Sequence, residues 1–134
     1  MPVFQEKEAR FPVFWLIVLA IVTQTAALRG QSLIEFNRDI RPLLSDNCYL
    51  CHGPDAEERK ADLRLDVQSE AHKSAIVPGS SDKSEAIVRI LSQDPDERMP
   101  PPDSGKSLSD DEVELLRRWI DEGAVYQKLS LIHI

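Results

Sequence analysis

The feature that most constrains this chain is the pentapeptide Cys48-Tyr49-Leu50-Cys51-His52, which holds the chain's only two cysteines. Two thiols one helical turn apart can each add to one vinyl group of the same porphyrin. The imidazole that follows is then placed to bind the iron as the proximal ligand. The spacing predicts a covalent haem c on Cys48 and Cys51, with His52 as the iron ligand.

Other uses of a CxxC motif fit the sequence less well. A structural zinc site needs about four ligands, and outside the last six residues His52 and His72 are the only histidines that could add to the two cysteines. A thioredoxin-like site needs a βαβ context, which the expected elements lack. We therefore expect neither zinc binding nor thiol redox chemistry.

Residues 1–27 have the pattern of an export signal. An unbroken apolar run from Phe11 to Val22 is followed by small and polar residues, and a cleavage point falls after Ala27. The run is shorter than the roughly 20 residues of a membrane-spanning helix. We expect a cleaved signal peptide or an uncleaved N-terminal anchor. Either one places the remaining chain outside the cytoplasm, as a periplasmic or secreted domain.

Acidic residues outnumber basic ones in this chain, 23 to 16, which gives a net charge of −7. A nucleic-acid-binding domain would carry a basic surface, so we expect no nucleic-acid partner. Without the export segment, the chain suffices for one small domain, which we place at residues 28–128. Residues 129–134 continue no pattern and resemble a translated sequencing adapter, so we expect a non-native tail and exclude its His133 as a ligand.

The first of three expected short helices leads into the cysteine motif. Phe36, Ile40 and Leu43 share one apolar face. Pro42 fits only the first turn of a helix, so this helix is expected to start near Asp39 or to bend there.

The middle of the chain carries weaker signals. The alternation over residues 63–67 fits a short strand or an extended loop. His72 has polar neighbours and is expected to be solvent-exposed rather than an axial ligand. Ser81 or Asp82 is expected to cap the second helix, with Glu85 completing a capping box behind Asp82.

The last helix has the clearest start signal in the chain. Ser109 and Glu112 have the spacing of a capping box, and Leu108 and Val113 that of a hydrophobic staple. Gly123 is a natural stop. We expect the first and last helices to pack together through five apolar side chains: Phe36, Ile40, Leu116, Trp119 and Ile120.

Met99 is the only methionine besides the initiator and is followed by three prolines. A thioether is a soft, neutral sixth ligand that raises the reduction potential of a His-ligated haem. The prolines fix φ and offer no N–H, so they can hold an irregular loop extended with the sulfur presented to iron. Met99 is therefore the predicted distal ligand; the alternative is a methionine that packs on the core.

Four stretches together resemble the planctomycete-type cytochrome c domain, from Phe36 to Tyr126: FNRDIRPLLSDNCYLCHGPD, RKADLRLD, IVPGSSDKSEAIVRI and RMPPPDSGKSLSDDEVELLRRWIDEGAVY. The resemblance implies an all-α, class I cytochrome c-like fold with long loops around a covalent haem c. It also implies haem on Cys48 and Cys51, with His52 and Met99 as axial ligands. In this family the domain lies near the N-terminus of longer exported proteins, so the chain is interpreted as an N-terminal fragment.

These features favour a one-electron carrier over an enzyme. The expected partner is a separate redox protein or downstream domains of the same polypeptide, with a membrane involved only if the N-terminal segment stays uncleaved. The alternative is a peroxidase-like enzyme or a gas or redox sensor in which Met99 is displaced from the iron.

Overall fold

The computed structural model describes residues 33–128, and within this range it is helical with no strand. Five α-helices are joined by long loops: α1 (Arg41–Asn47), α2 (Tyr49–His52), α3 (Gln68–Ser74), α4 (Glu85–Leu91) and α5 (Asp110–Asp121). The all-α prediction is confirmed, with two more short helices than expected. None of the helices in residues 33–128 has the length and apolar character needed to span a bilayer. The expected export segment and tail lie outside the described residues.

The helix that enters the cysteine motif begins with a widened turn. Residues Phe36–Ile40 form a π-helical turn in which the N–H of Arg41 bonds to the carbonyl of Phe36, five residues back. α1 follows at once, with Pro42 in its first turn, where a missing N–H breaks no helical hydrogen bond. The α-helix itself begins at Arg41, close to the start expected near Asp39.

The widened turn packs against α5, as the sequence predicts. The ring centroids of Phe36 and Trp119 are 5.5 Å apart, and Tyr126 stacks on Phe36 at 4.3 Å. Ile40 and Ile120 have no exposed surface. Burying a large apolar side chain stabilises a fold by about 1.5–3 kcal/mol. The four buried side chains among these, Phe36, Ile40, Trp119 and Ile120, therefore supply a large part of the small core.

Both ends of α5 follow its sequence signals. The N–H of Glu112 donates to the Ser109 hydroxyl at 3.3 Å, and the N–H of Ser109 donates to the Glu112 carboxylate at 2.7 Å, which completes the capping box. At the other end Gly123 has φ +115°, a value that favours glycine. The hydrophobic staple of Leu108 with Val113 stays a prediction.

The expected capping box at the start of α4 is wrong. Residues Ser81–Lys83 form a separate 3-10 turn, and Ser84 is the residue before α4. The hydroxyl of Ser84 does not cap the helix, because it donates to the carbonyl of Ser80 at 2.9 Å and accepts from the N–H of Val77. Glu85 instead pairs with Arg89 one turn later, at 2.8 Å.

The region after the cysteine motif also differs from expectation in part. Residues 63–67 form a loop, in agreement with one of the two predicted alternatives. The helix that follows, α3, is not predicted from the sequence. The expectation that His72 is solvent-exposed is wrong. Its ring is half-buried, with Nε2 3.1 Å from the carbonyl of Ala124 and its plane edge-on to Tyr126. The backbone reversal at Gly123 and Ala124 supplies this partner.

Candidate functional site

The cysteine motif forms a single helical turn directly after α1. Cys48 lies at the junction and precedes α2, which contains Cys51 and His52. Its carbonyl accepts from the N–H groups of both Cys51 and His52, at 3.2 and 2.8 Å. Positions three and four apart on a helix lie on the same side. The two cysteines and the histidine thus share one helical turn, and their joint binding of a haem stays a prediction.

The loop after the motif folds back and bonds to its last two residues. The N–H of Lys60 donates to the carbonyl of Cys51, and the N–H of Leu65 donates to the carbonyl of His52, both at 2.7 Å. Carbonyls at the end of a helix lack partners within the helix. The returning loop supplies those partners, so the end of the motif is held by main-chain contacts.

The imidazole of His52 is oriented by a main-chain carbonyl. Its Nδ1 lies 3.2 Å from the oxygen of Lys60. A carbonyl only accepts hydrogen bonds, so this contact assigns the proton to Nδ1 and leaves a lone pair on Nε2. Burial lowers the pKa of His52, and the bond to Lys60 opposes this only in part. The ring is thus neutral near pH 7, in the tautomer that binds a metal through Nε2.

Gly53 allows the chain to turn away directly after His52. It is buried, and a Cβ atom at this position would lie 2.2 Å from the carbonyl oxygen of Tyr49. Real Cβ contacts are essentially never shorter than 3.0 Å. The turn that carries the chain toward Lys60 therefore depends on the missing side chain.

Cys48 does not have the environment of a reactive thiol. Both are free and half-buried. Burial raises the pKa of Cys48 to about 11, with Lys106 opposing the shift, whereas a reactive cysteine needs a lowered pKa. Within residues 33–128 no group of three or more His, Cys, Asp or Glu side chains could hold a metal ion. The raised pKa of Cys48 thus argues against a thiol-redox role for this cysteine.

Met99 lies in the loop between α4 and α5, where the sequence places it. Its N–H donates to the carbonyl of Arg89 at 3.1 Å, and its side chain is half-buried. It lines an open cavity of about 400 Å³. Several apolar side chains share this cavity: Ile90, Leu91, Pro100, Leu108 and Val113. Polar and charged side chains also line it, among them Gln93, Arg98, Lys106 and Asp110, so the lining is of mixed character.

One side chain links the Met99 cavity to the cysteine motif. Lys106 lines the cavity, and its ammonium donates a hydrogen bond to the carbonyl of Asp46, two residues before Cys48. Its charge also acts on the Cys48 thiol. Among the described residues, the lining of this cavity does not include the motif itself. A shared iron between His52 and Met99 therefore stays a prediction.

Sequence reasoning missed the groups that hold the site in place. A charged run such as Ala56 to Lys60 is typical of a solvated loop, but Arg59 is only 17% exposed and the carbonyl of Lys60 contacts His52. A main-chain carbonyl leaves no trace in residue type. Lys106 could have been noticed only through its position in the Met99 loop.

Comparison with known proteins gives one match. Residues 48–103, which include all four predicted haem-binding residues, match the family described as planctomycete cytochrome C. No curated protein and no solved structure matches the chain. The stretch begins at the first cysteine and ends just after the proline run that follows Met99.

Proposed function

This chain carries a planctomycete-type cytochrome c domain, and from this premise we propose that it binds one haem c covalently and carries single electrons. The observation that best supports the proposal is the contact between His52 Nδ1 and the carbonyl of Lys60. Histidines that bind metals characteristically donate their second ring N–H to such a group. Here that contact belongs to a histidine that follows two cysteines on one helical turn.

Four residues would hold the group. Cys48 and Cys51 would attach it through thioether bonds, His52 would bind the iron through Nε2, and Met99 would occupy the opposite side. Haem iron supplies a reversible one-electron change between its ferrous and ferric states. The protein's part would be to hold both axial ligands and to enclose the group beside the cavity that Met99 lines together with side chains of α4 and α5.

Electron carriage is the role that this arrangement favours over catalysis. An iron with two protein ligands has no open position for a substrate. Met99 is half-buried and its loop is bonded to α4 through the carbonyl of Arg89, which supports a ligand that stays in place. A peroxidase or gas sensor would instead need a vacant distal position on the iron, or a distal ligand that is readily displaced.

We further propose that the domain acts outside the cytoplasm. The apolar segment from Phe11 to Val22 supports export, and haem attachment to such motifs takes place outside the bacterial cytoplasmic membrane. The net charge of −7 suits a partner surface that carries positive charge, which would speed encounter at low ionic strength. That surface belongs either to a separate redox protein or to downstream domains.

Expression together with cytochrome c maturation enzymes tests this function. We expect haem that stays on the polypeptide under denaturing conditions, and a low-spin spectrum that carbon monoxide does not change. The Cys48→Ser/Cys51→Ser variant is the control and should carry no covalent haem. Absence of covalent haem from the wild-type chain would overturn the proposal. Rapid carbon monoxide binding would instead indicate a haem-based sensor or enzyme.

A further inference from the structure

Arg59 forms a cross-link beside the proximal histidine. Its Nε donates to the carbonyl of Gly53 at 3.2 Å, and one terminal nitrogen donates to the carbonyl of Pro54 at 3.1 Å. The other terminal nitrogen lies 3.7 Å from the carboxylate of Asp62, which is 97% exposed. The Arg59 side chain itself is only 17% exposed. Its guanidinium is thus committed to the two residues that directly follow His52.

The position of Arg59 in the chain gives this cross-link its importance. Arg59 directly precedes Lys60, whose carbonyl contacts His52 Nδ1 and whose N–H bonds to Cys51. The guanidinium therefore joins the segment that leaves His52 to the segment that returns to it. Because the guanidinium is planar and its donors are fixed in a fork, it sets the spacing of these two segments more strictly than a lysine could.

We propose that Arg59 is a positioning residue for the proximal ligand: it holds the Lys60 carbonyl against His52 Nδ1 and thereby sets the reduction potential of the haem. This inference rests on the proposed haem function. Lys60 supplies the acceptor, but as a main-chain carbonyl it cannot be removed by substitution. Arg59 is the side chain through which the contact can be altered.

The sign of the effect follows from the hydrogen bond. An imidazole that donates from Nδ1 becomes a more basic ligand at Nε2, and a more basic ligand favours the ferric iron, which has the higher charge. Loosening the Lys60 carbonyl should weaken this bond and raise the reduction potential. Removal of the positive charge of Arg59 should instead lower the reduction potential, because a nearby positive charge disfavours the more highly charged ferric iron.

Two substitutions at Arg59 separate geometry from charge. Arg59→Lys keeps the charge but loses the fork, and we expect its oxidation equilibrium to shift three- to tenfold toward the ferrous form. That corresponds to a potential about 30–60 mV more positive, at 59 mV per tenfold change for one electron. Arg59→Met loses both, so its potential should lie below that of Arg59→Lys. Arg64→Lys is the matched control, because Arg64 forms its fork with Asp66 rather than with main chain beside His52.

The measurements are redox titration of the holoprotein, covalent haem content and urea unfolding. The proposal is supported if Arg59→Lys raises the potential with full haem content while Arg64→Lys leaves it unchanged. It is overturned if Arg59→Lys loses stability without a change in potential, since the residue is then only structural. An equal shift in Arg64→Lys also overturns it. A wild-type chain without covalent haem would instead refute the proposed function, so the two failures are distinguishable.

Discussion

The ammonium of Lys106 donates a hydrogen bond to the main-chain carbonyl of Asp46, a residue 60 positions earlier in the chain. Asp46 belongs to the last turn of α1, where carbonyls lack partners within the helix and where positive charge is favourable. The contact joins the loop that carries Met99 to the helix that enters the cysteine motif. Lys106 therefore connects the two halves of the proposed ligand pair.

The first prediction concerns this connection. Lys106→Met keeps the length of the side chain but removes the donor, so the Met99 loop should open more often. We expect added imidazole to bind the ferric holoprotein about three- to tenfold faster, because a solvent-exposed hydrogen bond contributes about 1 kcal/mol. Stopped-flow absorbance measures the rate. Lys83→Met, at an exposed lysine of the 3-10 turn, is the control, and an equal rate in both variants would count against the role of Lys106.

The second prediction concerns the distal ligand. Met99→Ala removes the thioether and should leave the sixth position of the iron open. The reduced variant should then bind carbon monoxide rapidly, and its potential should fall by on the order of 100 mV, since axial ligands tune haem potentials over about 0.8 V. Optical spectra and redox titration test both. Leu91→Ala changes the same cavity without touching the sulfur. An unchanged spectrum in Met99→Ala would place the distal ligand elsewhere.

The third prediction concerns the turn after His52. A methyl group at position 53 cannot fit 2.2 Å from the Tyr49 carbonyl, so Gly53→Ala must displace the motif or the loop. We expect the free energy of unfolding of the holoprotein to fall by about 2–3 kcal/mol, measured by urea titration. Gly79→Ala is the comparison: Gly79 has φ +80° and open space among the described residues, so it should lose only about 1 kcal/mol. Equal losses would show that the contact with Tyr49 is relieved without cost.

The fourth prediction concerns the apoprotein. A domain of this size buries little apolar surface, so an attached haem should supply a large part of its core. The Cys48→Ala/Cys51→Ala variant should therefore be largely unfolded. Far-UV circular dichroism measures this directly, with the wild-type holoprotein as reference. A native helical signal in the variant would show that the polypeptide folds without its cofactor.

The sequence predicts the parts of this molecule that depend on side-chain type and local spacing. The sequence alone shows the residue types and spacing behind three features. These are the cysteine turn, the Ser109 capping box and the contact between Phe36 and Trp119. The capping box and the CxxCH turn have few alternatives, because each is defined within five positions.

The parts that were missed depend on main-chain groups brought together by the fold. The sequence does not show that Ser84 directly precedes α4. Its hydroxyl bonds to the main chain of Ser80 and Val77, in a turn that residue types do not reveal. His72 was expected in solvent, although its partner is the carbonyl of Ala124, 52 positions away. The carbonyl of Lys60 is the same kind of case. Such acceptors can be assigned only once the path of the backbone is known.

The contacts of Phe36 with Trp119 and Tyr126 join the two ends of the described chain. The N–H of Asn37 also donates to the side chain of Gln127, across 90 positions. Contacts between such distant residues form slowly and only after the later residue has been synthesised. The turn that leads into the cysteine motif therefore gains these packing partners only after residues 119–127 have been synthesised.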